Sequence, residues 1–227
     1  MIDATQPFSS TEALKFGWAK TMANLKPLLI IGAVGAFFAI VNSAMTGRGG
    51  GASLLSLVIQ VLQLGVMLAF IRAALKLHDG RPLDVGRPGE LLADFFPFLL
   101  AQVLVGLIVA GGLILLVVPG VIWGLKFGYA GFLVADRKLD PIEALKESSR
   151  LTQGRKGQLF VFALLMFGVN LLGAIALGIG LLVTIPTTYI ASAYVLRRLQ
   201  GGVPQRVGLI QPPPVYPTQP EPPAPAP

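Results

Sequence analysis

The chain has 227 residues, 54% of them hydrophobic, a mean hydropathy of +0.72 and only 13% charged. A soluble domain carries about 25% charged residues, so water is not the main solvent of this chain. The net charge is +7 with no cysteine. That excludes disulfides, a thiolate nucleophile and Cys-based metal sites, and cations at the ends of apolar runs, not on one basic face, argue against nucleic acid.

Asp3 and Glu12 precede the first apolar run, which starts near Leu28 and is too long for the core of a secretory signal. Glu12 opens an amphipathic helix with Leu14, Trp18, Met22 and Leu25 on one face and Lys15, Lys20 and Lys26 off it. Such a helix is expected to lie among lipid headgroups. A spanning helix needs about 20 apolar residues, and the chain offers six. The first runs from about Pro27 to Thr46 and the second from about Leu54 to Leu75. Between them, Gly49-Gly50-Gly51 reads as a flexible outer loop; no strand precedes it, as a phosphate cradle would require. His78, beside Asp79, reads as an interfacial residue. The third and fourth spans share residues 97–135, broken at Pro119-Gly120. The fifth and sixth share residues 159–196, broken near Gly178-Ile179-Gly180. A single helix of either length would be about 60 Å long, whereas two helices and a tight turn fit.

Six spans place both termini on one side. The connections on that side hold Lys15, Lys20, Lys26, Arg72, Lys76, Arg81, Arg87, Arg137, Lys138, Lys146, Arg150, Arg155, Lys156, Arg197, Arg198 and Arg206; the other side holds Arg48 alone. The excess marks the cytoplasmic face. All acidic residues lie outside the spans.

Glu12-Ala13-Leu14-Lys15 recurs as Glu143-Ala144-Leu145-Lys146, each copy leading into an apolar hairpin, and Glu90-Leu91-Leu92-Ala93 is a degenerate middle copy. The expected architecture is all-α: a polytopic bundle of six transmembrane helices in three hairpins, each preceded by a cytoplasmic or interfacial helix. The repeat units are about 10–77, 84–135 and 141–199 of a membrane domain 1–200. Asp140 as N-cap, Pro141 at N1 and Glu143 at N3 start the third leading helix, and Gly154 stops it.

Pro119-Gly120, Asp136, the Glu143 motif with Ser148 or Ser149 and Gly154, Leu182-Val183-Thr184-Ile185-Pro186, and Ala193-Tyr194-Val195 with Arg197 carry a resemblance. Over roughly residues 10 to 200 the chain resembles a broad family of bacterial six-span integral membrane proteins of unknown function, related to the membrane domain attached to some glycerophosphodiester phosphodiesterases. The resemblance implies the fold and a place in the cytoplasmic membrane. The phosphodiesterase activity of the fused proteins belongs to a separate barrel, for which this chain has no room. The tail from Gly201 to Pro227 holds ten of the eighteen prolines and reads as a disordered, partly polyproline II arm on the cytoplasmic side. Its Pro213-Pro214-Val215-Tyr216 matches a WW-domain ligand pattern, read as accidental in a chain with bacterial resemblances.

Lys126 is the one formally charged side chain well inside a span, which by default marks a functional position. Trp123 and Tyr129 share its general face and offer cation–π contacts. Gly120, Gly124 and Gly128 form a stripe on the same helix that suits close helix packing. Gln60, Gln63, Asn170, Thr187, Thr188 and Tyr189 fall near the depth of Lys126. Pro186 interrupts a helix beside them and frees the carbonyl of Leu182, so Pro119 and Pro186 are read as helix breaks. A polar layer next to a broken helix is how many transporters hold a solute; equally, lysines snorkel and polar residues join helices. No metal or cofactor motif is present, and no enzyme signature. The leading expectation is a non-enzymatic membrane protein acting through helix packing, anionic headgroups at the cytoplasmic face and a cytoplasmic or membrane protein partner. The runner-up is a small-solute or lipid transporter built around Lys126.

Overall fold

The computed structural model describes residues 8–46, 54–83, 88–176 and 178–201. The Gly49–Gly51 loop with Arg48, and the tail beyond Gly201, lie outside the described residues. The described residues are helical: α1 Ser10–Ala23, α2 Leu25–Thr46, α3 Leu54–His78, α4 Pro88–Leu115, α5 Val117–Phe127, α6 Ala130–Arg137, α7 Pro141–Leu151, α8 Lys156–Ile175 and α9 Leu181–Leu199. Five helical stretches are long and apolar enough to cross a membrane: Leu25–Met45, Leu54–His78, Ala93–Leu115, Val117–Arg137 and Lys156–Ile175. Their outward faces are apolar, as at Ile30, Phe37, Ile40, Leu107, Phe167 and Leu172. A soluble monomer rarely exposes so continuous an apolar surface, so the chain is built as a membrane protein. The expected sixth span, α9, is not among the five. It carries Thr184, Thr187, Thr188, Ser192 and Tyr194 and packs against α1, α2, α3 and α8. Neighbouring helices, more than lipid, are its surroundings.

Three boundaries differ from expectation. The chain turns between α4 and α5 at Leu116, which is extended at φ −165°; Pro119 sits in the first turn of α5, where its missing N–H costs nothing. Pro186 lies inside a continuous α9. The freed carbonyl of Leu182 faces Gly32 of α2, at 3.8 Å from where a Cβ on Gly32 would be. The third span and the middle leading segment are one helix, because α4 begins at Pro88 and runs on through Pro97.

The helices that carry the matching sequences bury matching positions. On α1 these are Ala13, Gly17 and Thr21; on and just past α7 they are Ala144, Ser148 and Thr152. The Thr21 hydroxyl reaches the Gly17 carbonyl at 2.8 Å, and the Thr152 hydroxyl reaches the Ser148 carbonyl at 2.9 Å. The buried stripe of α1 is therefore the small-residue one. Trp18 and Met22, of the expected apolar face, point outward. Here α1 is not a free headgroup helix, because it packs closely on α9. Asp140 stands at the N-cap of α7 without a side-chain capping bond, and the helix stops at Leu151, short of Gly154. On its exposed side, hydrogen bonds from Arg150 hold Glu147 below the usual carboxylate range.

α1 packs on α9, and α7 packs on α5 and α6. In the opening turns of α4, Asp94 pairs with Arg72 of α3 and with Lys138 just past α6. These contacts link α1–α3, α4–α6 and α7–α9 into a closed ring.

Candidate functional site

The expected polar layer does not form one constellation. Lys126, in the last turn of α5, is half-buried, with its ammonium 5.0 Å from the centre of the Phe127 ring rather than over Trp123 or Tyr129. Its backbone is more engaged than its side chain. Because α5 stops at Phe127, the Lys126 carbonyl belongs to the last turn, where helical donors run out. Ser148 of α7 donates to it at 2.8 Å and Thr152 reaches it at 3.3 Å. The third leading helix is thus pinned to the end of α5.

Asn170 and Thr188 do meet. The Asn170 amide donates to the Thr188 hydroxyl at 2.9 Å and to the Met166 carbonyl at 2.9 Å, joining α8 to α9. Thr188 in turn donates to the Thr184 carbonyl. Thr187 faces the other way, its hydroxyl 3.1 Å from that of Thr21 on α1. The Tyr189 ring stacks on Phe70 of α3 at 5.4 Å between centroids. Gln60 is exposed and Gln63 half-buried on α3. The glycine stripe is also divided. A Cβ on Gly120 would fall 2.5 Å from the Leu113 side chain and 2.8 Å from its backbone nitrogen, a true close approach of α5 to α4. At Gly124 only Val109 comes near, at 4.0 Å, and at Gly128 only the helix's own turn does.

Gly124 and Gly128 instead border a cavity of about 360 Å³ between α5, α6, α8 and α9. Tyr129, Phe162, Met166 and Thr188 also line it, and Lys126 is not in the lining. The Asn170 side-chain oxygen is buried without a partner. Replacing Asn170 by Leu removes two hydrogen bonds and also that unpartnered acceptor. The change in stability is expected to stay within about 1 kcal/mol, read by thermal unfolding in detergent; a larger loss would show that Asn170 organises more than this joint.

The most strongly connected polar group among the described residues lies elsewhere; the sequence names Arg197 and Asp136 only among the residues that carry the resemblance and does not bring them together. Arg197, near the end of α9, is 4% exposed. It donates to Asp79 at 2.8 and 3.1 Å and to Asp136 at 2.6 and 2.8 Å. Gln200 accepts a further bond at 3.1 Å. His78 lies 3.3 Å from Asp79. Asp79 follows α3, Asp136 is in α6 and Arg197 is in α9, so the ends of these three helices are tied at one point. The signal is in the sequence: Asp79, Asp136 and Arg197 each fall at or just past the end of a helix that follows an apolar run.

The chain is 30% identical over 147 residues to uncharacterized proteins of Mycobacterium bovis and Mycobacterium tuberculosis, covering 63% of this chain and 43% of theirs. A further uncharacterized Mycobacterium tuberculosis protein is 31% identical over 158 residues, covering 65% of this chain and 48% of its own length. The chain spans less than half the length of these curated relatives. No protein-family model matches it, and no solved structure does.

Proposed function

We propose that this is a non-enzymatic integral membrane protein of a bacterial cytoplasmic membrane, supporting envelope or membrane processes through helix packing and through contacts with lipids and a protein partner. The observation that carries the reading is the use of its intramembrane polar groups. Asn170 with Thr188, Thr21 with Thr187, and Ser148 with the Lys126 carbonyl are joints between helices. Of these groups only Thr188 lines the cavity. In this reading three units, each a leading segment and a hairpin, return the chain to the cytoplasmic face, where both termini lie. The exposed Lys15, Lys146, Lys156 and Arg198 face anionic headgroups there, each contributing about 1 kcal/mol near a charged surface.

Native mass spectrometry of gently solubilised wild type and Lys126→Met tests this. Both are expected to accumulate folded and to retain the same phospholipids. A small solute held by the wild type and lost from Lys126→Met would sink the reading and establish transport around Lys126.

A further inference from the structure

We infer that the third hairpin, α8–α9, enters the bilayer from the charged side and turns back inside hydrocarbon, with lipid chains packed around its tip at Ile175, Ala176 and Gly178 to Gly180. Two rulers place that tip short of the far surface. The first is α2, which passes α9 at Gly32: a Cβ there would lie 3.3 Å from the Leu182 side chain. From Gly32, α2 runs on to Thr46, about 14 residues or about 21 Å farther. The second ruler starts from the Arg197–Asp79 ion pair. From Arg197, α9 reaches back to Leu181 in about 16 residues, about 24 Å, whereas from Asp79 α3 reaches Leu54 in about 25 residues, about 37 Å. The hairpin falls short by about 13 Å on one measure and more on the other.

The chemistry of the tip fits hydrocarbon. The sequence from Leu171 to Val183 contains no polar side chain. Ile175 and Ile179 are 70% and 69% exposed. Backbone inside a bilayer must satisfy its own hydrogen bonds, and the described part of this turn makes five local ones. Gly178 donates to Ala174, Leu181 to Gly178, Leu182 to Ile179, and Val183 and Thr184 to Gly180, all at 2.9–3.1 Å. The two helices also close directly on each other at the tip, where a Cβ on Gly180 would sit 2.6 Å from the Gly173 carbonyl oxygen. The first hairpin contrasts with it: its connection carries Thr46, Arg48 and Ser53, residues suited to water.

The chain has no cysteine, so single replacements report position without a background. Ile175→Cys, Ile179→Cys and Ser53→Cys are compared in intact cells with a membrane-impermeant maleimide, and nitroxides at residues 175 and 179 are read for contact with oxygen and with a water-soluble nickel chelate. A thiol in hydrocarbon does not ionise and does not react. Ser53→Cys is expected to label, Ile175→Cys and Ile179→Cys at least about tenfold more slowly, with nitroxides open to oxygen and closed to nickel. Labelling of Ile179→Cys at a rate near that of Ser53→Cys would show a hairpin that crosses. Nitroxides shielded from both reagents would show a protein, not lipid, around the tip. Either result overturns the inference and leaves the reading of Lys126 untouched, because that is judged by retained solute.

Discussion

Arg197→Met is expected to be the most damaging single replacement among the polar groups, costing about 3–5 kcal/mol. The guanidinium is nearly enclosed, and its three nitrogens serve two carboxylates, one just past α3 and one in α6. Removing it leaves Asp79 and Asp136 buried at close quarters with their main counter-charge gone. Arg81 remains only at 3.7 Å from Asp79. Arg197→Lys does not restore the arrangement, since a single ammonium lacks the planar fork that reaches both partners at once. The informative comparison is the triple variant Asp79→Asn, Asp136→Asn, Arg197→Met. It removes all three charges together, and buried ion clusters replaced as a set are often close to neutral. Thermal unfolding in detergent is expected to show the single variant strongly destabilised and the triple variant within about 2 kcal/mol of wild type. A triple variant as unstable as the single one would mean that Arg197 acts through packing, not through its charge.

That cluster also marks the limit of what the sequence made legible. Helical class and several apolar helices long enough to cross a membrane follow from composition, because a bilayer imposes length and polarity on whatever crosses it. Arg197 was counted among the cations that set orientation, and a topological count treats a buried arginine and a surface one alike. The same count is insensitive to depth. A hairpin that crosses and one that turns back both return their cations to the side they left, so the charge pattern agrees equally with either course for α8–α9. Thr187 and Thr188 looked like a site because polar residues in a lipid-facing helix need a reason. Enclosure supplies it, since α9 sits among α1, α2, α3 and α8 and its hydroxyls meet partners there. Proline stops helices from within, which makes Pro119 look like a break; at the third position of α5 it begins one instead.

Gly17→Leu is expected to release α1 from α9. A Cβ at Gly17 would stand 2.6 Å from the Thr187 carbonyl oxygen, 3.1 Å from the Ala191 nitrogen and 3.2 Å from the Ala191 Cβ. Two of these atoms are backbone of a continuous helix and cannot swing aside. The alternatives are bending α9 or lifting α1, and overpacking of this kind costs about 1–3 kcal/mol. Lifting α1 also separates Thr21 from Thr187 and Phe16 from Tyr194, so local detachment is the easier course. Amide hydrogen exchange distinguishes it from general loosening. Residues 13–23 are expected to exchange about 10-fold or more faster in Gly17→Leu, with α7 unchanged. The contrast with α7 is physically grounded. Its equivalent position is Ser148, which already has a Cβ and approaches the end of α5 through its hydroxyl, so that joint tolerates a side chain where α1 and α9 do not. Protection of α1 that survived the substitution would show that α9 can yield at Thr187, and that closure of the ring does not depend on the close approach at Gly17.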